Sequence, residues 1–318
     1  MNPRSCTSRS SMKGKIMNGA LWRSLVMSLS LVLLIAPRAS AQAARVFLSG
    51  TGNDAGDCSN AATPCRSLQG AIDQAAAGAE VVVVSSGGYG GATITKSITV
   101  NAPTGVIAFV GRTITVTIAG TDVVTLRGLS MNGAVFGDNY GINFTSGGTL
   151  NIENTVIASF VSTGVNATAS GSKLWVHNCD IRKNTEGIVV TGASAVIENS
   201  RAVENSDVGF YANSSSTVLI RNSVAQGNVV GYYSNSQAVS STEMVVDSSE
   251  ATNNNYGLES LQNGAGSVAT LRASECVVMN NSNVNLYTVN GSFLVSYGGN
   301  RVGGTGGNTG FTSTEVQQ

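Results

Sequence analysis

Three carboxylates in the last third of the chain are the residues most suited to acid–base chemistry. They are Asp247, Glu250 and Glu275. A retaining glycosidase holds two carboxyl groups about 5–5.5 Å apart. This spacing requires a fold that carries the chain back over itself between residues 250 and 275. Because two exposed Glu side chains can also point into water, a solvated surface is the alternative interpretation.

A second group of candidates is aromatic. Tyr211 and Tyr233 each lie two residues after a glycine, Gly209 and Gly231, and Tyr287 lies near the matching place further on. Tyrosines that point outward in a row could stack on sugar rings, so Tyr211 and Tyr233 are candidate ligand-binding residues. Cross-strand aromatic packing on a solvated sheet is the simpler interpretation.

The element that must position these residues is a repeat. Glycines followed by an apolar residue recur at steps of 23, 23, 22, 22 and 26, and each from the second onward is preceded by a short apolar segment and a small polar residue. Self-similarity at such a period indicates a solenoid. The glycines are Gly141, Gly164, Gly187, Gly209, Gly231 and Gly257, and the residues predicted at the corners after the apolar segments are Asn154, Asn178, Asn199, Asn222, Ser248 and Ala273.

The period within each copy is two. In "LWVHN", Leu174 and Val176 share one face, whereas Trp175 and His177 share the other. Helical repeats would need a 3.6 period, and leucine-rich repeats would need more leucines. Three short strands per copy predict an all-β fold, a right-handed parallel β-helix solenoid whose rungs stack about 4.8 Å apart. Asn suits its corners, because Asn tolerates left-handed backbone and can bond an identical amide on the next rung.

Stacking predicts columns of equivalent side chains. The outward residue before each corner alternates in charge, which favours a surface ladder over a catalytic role for the single His177 between Glu153 and Glu198. That column is Arg127, Glu153, His177, Glu198, Arg221, Asp247 and Arg272. A second outward column, Val156, Asp180, Arg201, Val224, Glu250 and Glu275, places Glu250 directly below Glu275.

Two inward columns are predicted beside the corner. One is apolar: Ile157, Ile181, Ala202, Ala225, Ala251 and Cys276. The other is small: Thr155, Cys179, Ser200, Ser223, Ser249 and Ser274. Cys179 and Cys276 are therefore expected four rungs apart, roughly 19 Å, as buried thiols that cannot bridge.

The start of the chain predicts export. Residues 1–41 combine basic residues, the apolar run "LVMSLSLVLLIA" and "ASA" before Gln42, which is typical of a signal peptide cleaved after Ala41, with Met1, Met12 or Met17 as the start. The apolar run is too short to span a membrane. The remainder holds 12 Lys and Arg against 18 Asp and Glu, a formal charge of −6, which argues against nucleic acid or an anionic membrane as partner. A periplasmic or secreted protein follows.

In that compartment Cys58 and Cys65, seven apart in a Gly- and Asn-rich loop, are expected to form a disulfide. A capping helix is predicted at about residues 66–77, since "SLQGAIDQAAAG" places Leu68, Ile72 and Ala75 on one face. It would cover the open end of the β-helix, predicted over residues 42–302. A Gly-rich tail would follow over residues 303–318.

Three segments carry a family resemblance: Phe47 to Val100, "DVVTLRGLSMNG" from Asp122 and "FLVSYGGNRVGG" from Phe293. With them the chain resembles the right-handed parallel β-helix proteins of the pectin-lyase-like superfamily, and more narrowly exported bacterial β-helix proteins of unassigned function. The resemblance implies a disulfide loop, a capping helix and the first rungs within the first segment.

The hydrolases of that superfamily share an Asp-rich site, a Gly-His-Gly and an Arg-x-Lys, and its pectate lyases need a calcium-binding Asp cluster. The sequence has none of these, so no metal or other cofactor is expected. Two function classes remain, because a fold does not imply its commonest chemistry. The favoured one is a non-catalytic, polysaccharide-binding or structural and adhesive β-helix at the cell exterior. The alternative is a polysaccharide lyase or glycosidase acting through Asp247, Glu250 and Glu275.

Overall fold

Apolar and polar residues alternate along most of the chain. The chain folds into a solenoid of three parallel sheets, with the apolar residues of each strand facing the interior. The computed structural model describes residues 42–315. The predicted signal peptide lies outside the described residues. Each rung contributes one strand to each sheet, and every strand pair between rungs is parallel.

Sheet 1 holds twelve strands. They are β1 (Ala43–Leu48), β2 (Ala75–Val83), β5 (Ile98–Asn101), β8 (Val123–Arg127), β11 (Thr149–Glu153), β14 (Lys173–His177), β17 (Ser194–Glu198), β20 (Thr217–Arg221), β23 (Ser241–Asp247), β26 (Val268–Ser274), β29 (Phe293–Gly298) and β32 (Ser313–Thr314).

Sheet 2 holds ten strands, most of them three residues long. They are β3 (Gly87–Gly88), β6 (Ala108–Val110), β9 (Leu129–Asn132), β12 (Val156–Ala158), β15 (Asp180–Arg182), β18 (Arg201–Val203), β21 (Val224–Gln226), β24 (Glu250–Thr252), β27 (Val277–Met279) and β30 (Arg301–Gly303). A single 3-10 turn, Gly133–Val135, follows β9.

Sheet 3 also holds ten strands. They are β4 (Ala92–Ile94), β7 (Ile114–Thr117), β10 (Tyr140–Ser146), β13 (Thr163–Ala167), β16 (Glu186–Thr191), β19 (Val208–Asn213), β22 (Val230–Gln237), β25 (Tyr256–Asn263), β28 (Val284–Val289) and β31 (Gly307–Asn308). The last two strands of the fold, β31 and β32, lie within the segment predicted as a Gly-rich tail, so strand pairing continues past residue 302.

The three corners of a rung differ. From β11 to β27, the connection from sheet 1 to sheet 2 is always two residues, and the first of them has positive φ. These first residues are Asn154, Asn178, Asn199, Asn222, Ser248 and Glu275. The connections from sheet 3 to sheet 1 vary from two residues to five, and Gly264–Ser267 has four. The connection from sheet 1 to sheet 2 is therefore the corner of constant length over these rungs.

The interior is a stack of matched side chains. Ile152, Val176 and Ile197 follow one another on the inner face of sheet 1 and are at most 2% exposed. On sheet 3, Phe210 and Tyr232 stack inside with ring centroids 5.1 Å apart. Such columns bury nearly all of their apolar surface, which is the main stabilising contribution to the fold.

The repeated glycines are the second residues of the strands of sheet 3, and the close packing there explains them. A Cβ at Gly231 would lie 2.7 Å from the carbonyl oxygen of Gly257 and 2.9 Å from Nδ2 of Asn254. Both contacts are shorter than carbon can make without displacing a neighbour. Glycine therefore recurs at this position because a larger residue would clash with the buried asparagine beside it.

The N-terminal end is covered as predicted. Cys58 and Cys65 form the disulfide, and helix α1 (Leu68–Gln74) buries Leu68, Ala71 and Ile72. Ser67 caps the helix by accepting from the amide of Gly70. The helix is shorter than the predicted span of about 66–77, because Ala75 already pairs with Ala43 in sheet 1.

Candidate functional site

The outer face of sheet 1 carries the predicted charge ladder. Glu153, His177 and Glu198 are vertical neighbours, and the column continues in register from Arg127 to Asp247. Arg127 Nε donates to Glu153 Oε2 at 2.8 Å, and Arg221 lies between Glu198 and Asp247 at 3.9 and 4.0 Å. Opposite charges alternate along this face, so they largely neutralise each other.

The predicted register is wrong for the last copy. Arg272 pairs with Val245, and Ser274 takes the place opposite Asp247. The corner of that rung is Glu275, with φ of 51°, not Ala273. Because the strand period is two, a slip of two residues leaves Leu271 facing inward and Arg272 facing outward, and only residues at the corner, such as Ser274, change their place. Alternation alone therefore could not distinguish the two registers.

The same slip separates the three carboxylates proposed for catalysis. Glu250 is in register with Val224 below and Val277 above, so Glu275 is not its neighbour in the column. Glu275 occupies a corner, and Asp247 accepts a hydrogen bond from Ser274 Oγ at 2.5 Å. The structure does not bring Glu250 and Glu275 into the stacked pair that the prediction required.

The inner columns follow the same correction. Cys276 belongs to the small column, above Ser249, and Ser274 is not part of that column. Val278 occupies the place above Ala251 that was predicted for Cys276. Cys179 and Cys276 are free and buried, as predicted. Burial raises the pKa of Cys179 to about 12 and that of Cys276 to about 11, so neither thiol is a nucleophile at neutral pH.

The small column is a hydrogen-bonded ladder. Ser200 Oγ donates to the carbonyl of Glu198 at 2.8 Å and accepts from the amide of Cys179 at 3.2 Å. Ser223 repeats the pattern one rung on. Each hydroxyl thus satisfies backbone groups at the corner between sheets 1 and 2.

A buried asparagine ladder lies at the next corner, between sheets 2 and 3. Asn228 Nδ2 donates to Asn254 Oδ1 and to the carbonyl of Ala202, each at 3.0 Å. At the predicted Asn corner, by contrast, the amide-to-amide bond joins Asn178 to Asn154. The buried ladder was not predicted, although four of its five asparagines precede a repeated glycine by three or four residues. Its members are Asn184, Asn205, Asn228, Asn254 and Asn281.

The outer face of sheet 3 brings the tyrosines together. Tyr211 and Tyr233 are register partners, and their rings stack with centroids 4.8 Å apart. Glu259 pairs next with Tyr233, and Tyr287 pairs with Glu259. Tyr256 lies beside Tyr287, with centroids 5.2 Å apart. All four rings are half-buried, so part of each is open to solvent.

Glu259 is the residue that the sequence analysis missed. It stands between Tyr233 and Tyr287 in the column and is half-buried. Burial, reinforced by the charge of Asp207, raises its pKa to about 7. The signal was present in the sequence, because Glu259 follows Gly257 by two residues, as Tyr211 follows Gly209.

Two further carboxylates belong to this face. Burial, with a contribution from Asp207, raises the pKa of Glu186, while a hydrogen bond from Thr163 Oγ1 at 2.9 Å opposes the rise. Asp207 itself is exposed. We call the set of Glu186, Asp207, Tyr211, Tyr233, Tyr256, Glu259 and Tyr287 the acidic tyrosine face.

No strand of sheet 3, over β4 to β31, contains Lys or Arg. Among residues 42–315, the ion pairs join carboxylates elsewhere and none includes Glu186, Asp207 or Glu259. Burial also raises the pKa of Tyr211 and of Tyr233, with nearby carboxylates adding to the effect. The face therefore combines half-buried aromatic rings with uncompensated negative charge.

A buried amide borders the face. Asn235 is 4% exposed, and its Nδ2 donates to the hydroxyl of Tyr211 at 2.9 Å. The Oδ1 atom of Asn235 has no hydrogen-bond partner among the described residues. An unpaired buried acceptor is unfavourable by about 1–3 kcal/mol, and it adds further negative potential beside Tyr211.

Sheet 1 offers a second exposed aromatic residue. Trp175 is 48% exposed and lies beside a shallow depression lined by Asn151, Glu153, His177 and Glu198. In the part of the chain that the structure covers, no group of three His, Cys, Asp or Glu side chains is placed to hold a metal ion. Residues 42–315 also contain no helix that is long and apolar enough to cross a membrane.

Comparison with known proteins agrees with this architecture. The family model described as "Right handed beta helix region" matches residues 114–268. The crystal structure of pectate lyase Pel9A superposes with a TM-score of 0.52 at 16% sequence identity, covering 85% of this chain and 79% of that one. No curated protein matches the sequence. The chain has the right-handed parallel β-helix fold, as predicted.

Proposed function

We propose that the protein binds polysaccharide at the acidic tyrosine face, without catalysis, at the cell exterior. The observation that carries the proposal is the run of four half-buried tyrosines on one open sheet, with Tyr211 and Tyr233 in contact and Tyr256 and Tyr287 in contact. Aromatic rings with a polar hydroxyl suit sugars, which present both apolar C–H faces and hydroxyl groups.

The fold supports the choice of ligand class. A flat sheet built from rungs about 4.8 Å apart offers an extended surface, which a linear polymer can follow. The similarity in fold to a pectate lyase points in the same direction. An exterior location is supported by the predicted signal peptide and by the Cys58–Cys65 disulfide, since disulfides persist in oxidising compartments. A structural or adhesive role is compatible with such binding.

The direct test is a glycan array followed by calorimetry on the protein that begins at Gln42. We expect binding to at least one polysaccharide, and we expect Tyr233→Ala to weaken it. Trp175→Ala is the matched control, because Trp175 is an exposed aromatic residue on sheet 1. Binding that depends on Trp175 and not on Tyr233 would move the site to sheet 1 and contradict the proposed location.

Catalysis is the second candidate, and one observation favours it. A carboxyl group with a pKa of about 7 can act as a general acid near neutral pH, and Glu259 has that pKa. Incubation with uronate and neutral polysaccharides, with and without calcium, would reveal turnover as reducing ends or unsaturated products. Turnover abolished by Glu259→Gln would establish an enzyme at this face. Turnover abolished by Glu250→Gln or Glu275→Gln would instead support the carboxylates predicted from the sequence.

A further inference from the structure

The charge on the acidic tyrosine face restricts the ligand. Glu186, Asp207 and Glu259 lie on or beside sheet 3, whose strands contain no Lys or Arg. On sheet 1, by contrast, carboxylates pair with Arg at 2.8–4.0 Å. A uronate polymer carries one carboxylate on each sugar, so it would meet like charge at this face.

The environment of Glu259 indicates which chemical group would complement it. Its carboxylate is half-buried between the rungs of Tyr233 and Tyr287, and within residues 42–315 it makes no ion pair. The faces of aromatic rings attract cations through their quadrupoles. A carboxylate flanked by two tyrosines is therefore complementary to an ammonium group, which can approach both the charge and the ring faces.

The buried amide of Asn235 is an independent indication of the same kind. Its Nδ2 atom contacts the Tyr211 hydroxyl, whereas its Oδ1 atom accepts no hydrogen bond. The Tyr211 hydroxyl accepts this bond and keeps its own O–H to donate, whereas the unpaired Oδ1 is an acceptor that adds negative potential beside the Tyr211 ring. The partial negative charge of this unpaired oxygen favours a positively charged group at the neighbouring surface over an anion.

The negative groups also extend along the solenoid axis. Glu186 lies on β16 and Glu259 on β25, three rungs apart, a separation of about 14 Å at the strand spacing of a sheet. Asp207 lies on the rung between β16 and β22. Charge spread over this distance matches a polymer with repeated cationic groups better than a single small cation.

We infer that the ligand of the acidic tyrosine face is a polysaccharide with free amino groups, whose ammonium groups lie against Glu259, Asp207 and Glu186. This inference rests on the proposed function and names its ligand class. It also differs from the uronate chemistry suggested by the pectate lyase similarity, because the face lacks the basic residues that would bind a polyanion directly.

The test compares three oligosaccharides of equal length by calorimetry at about pH 7 and low salt: deacetylated glucosamine, N-acetylglucosamine and galacturonate oligomers. We expect the amino oligomer to bind about tenfold or more tighter than the other two. Its affinity should fall as salt is added, because the attraction is screened. Equal affinity for the acetylated oligomer, or tighter binding of galacturonate, would overturn the inference.

Variants locate the effect. Glu259→Gln should weaken the amino oligomer about tenfold, and exposed Asp207→Asn should weaken it less. Glu315→Gln is the control, since this exposed carboxylate makes no side-chain hydrogen bond and lies after β32 of sheet 1. An equal loss in all three variants would show a non-specific effect of net charge and contradict the inference.

Proton release from the protein on binding can be measured with an oligomer that carries quaternary trimethylammonium groups, because this ligand has no titrating group of its own. A bound cation favours the ionised form of Glu259, so binding at about pH 7 should release roughly half a proton, measured in buffers of different ionisation enthalpy. Binding without proton release in the wild-type protein would contradict contact with Glu259.

These outcomes separate the inference from the proposed function. If the acetylated or galacturonate oligomer binds best and Tyr233→Ala abolishes that binding, the face binds polysaccharide but the ligand class is wrong. If no oligomer or array glycan binds, or if binding is indifferent to Tyr233, both proposals fail.

Discussion

The outer faces of sheets 1 and 3 belong to the same rungs, but different kinds of side chain stack on them. On sheet 1, charged residues alternate in sign, and Arg127 and Arg221 lie within 4.0 Å of carboxylates on neighbouring rungs. On sheet 3, tyrosines stack and the carboxylates Glu186 and Glu259 have no cationic neighbour on the strands. Charges that already pair with each other on sheet 1 interact weakly with a charged ligand. The unpaired carboxylates on sheet 3 can instead interact favourably with a cationic ligand.

The largest expected effect concerns the stability of the sheet 3 face. Glu259 has a pKa of about 7, above the ordinary value of 4.5. Between those pH values the unfolded state loses its proton while the folded state keeps it, so ionisation favours unfolding. Glu259→Gln should therefore raise the free energy of unfolding at pH 8 by about 2 kcal/mol and change it little at pH 4.5.

Denaturant unfolding of both proteins across this pH range provides the measurement. Glu153→Gln on sheet 1 is the matched control, because it removes a carboxylate that pairs with Arg127. If Glu259→Gln gave no stabilisation at pH 8, the carboxylate would be well solvated and the contrast between the two faces would be lost.

A smaller effect is expected in ligand binding. Tyr233→Ala removes the ring that contacts Tyr211 on one side and pairs with Glu259 on the other. We expect about a tenfold loss of affinity, or about 1.4 kcal/mol, with little change for Trp175→Ala on sheet 1. Tyr233→Phe should retain most of the affinity if the ring, and not the hydroxyl, makes the contact.

The smallest effect is expected in the sheet 1 ladder. Arg127 and Glu153 are both partly exposed, and exposed pairs contribute about 0.2–1 kcal/mol. A double-mutant cycle with Arg127→Ala and Glu153→Ala should give a coupling energy of about 0.5 kcal/mol that decreases with salt. A coupling above about 2 kcal/mol would show that sheet 1 is not the weakly interacting face described here.

The sequence predicted the fold because its period is carried by many residues at once. The alternation in "LWVHN" and the recurring glycines predict strands and rungs, and the vertical order of Glu153, His177 and Glu198 followed from them. The register of the last copy did not follow, because a shift of two residues leaves Leu271 inward and Arg272 outward within the strand, and alternation there does not distinguish the two registers.

Only part of the candidate site could be predicted from the sequence. Tyr211 and Tyr233 were found by their distance from glycines, and the same distance would have found Glu259. Its unusual pKa could not have been found in this way, because burial by neighbouring rungs and the position of Asp207 determine it. Likewise, the asparagine pattern at Asn228 and Asn254 is visible in the sequence, but its burial is a property of the assembled corner.

The unequal corners of the rung have a practical consequence for engineering. Two residues join sheets 1 and 2 on rung after rung, while the connections that lead from sheet 3 back to sheet 1 already differ in length. An epitope or affinity tag placed within Gly264–Ser267 would therefore lengthen a segment that the protein varies naturally. The same insertion after Asn199 would break the hydrogen bonds that join Ser200 to Cys179 on one neighbouring rung and to Ser223 on the other, and it is expected to prevent expression of folded material.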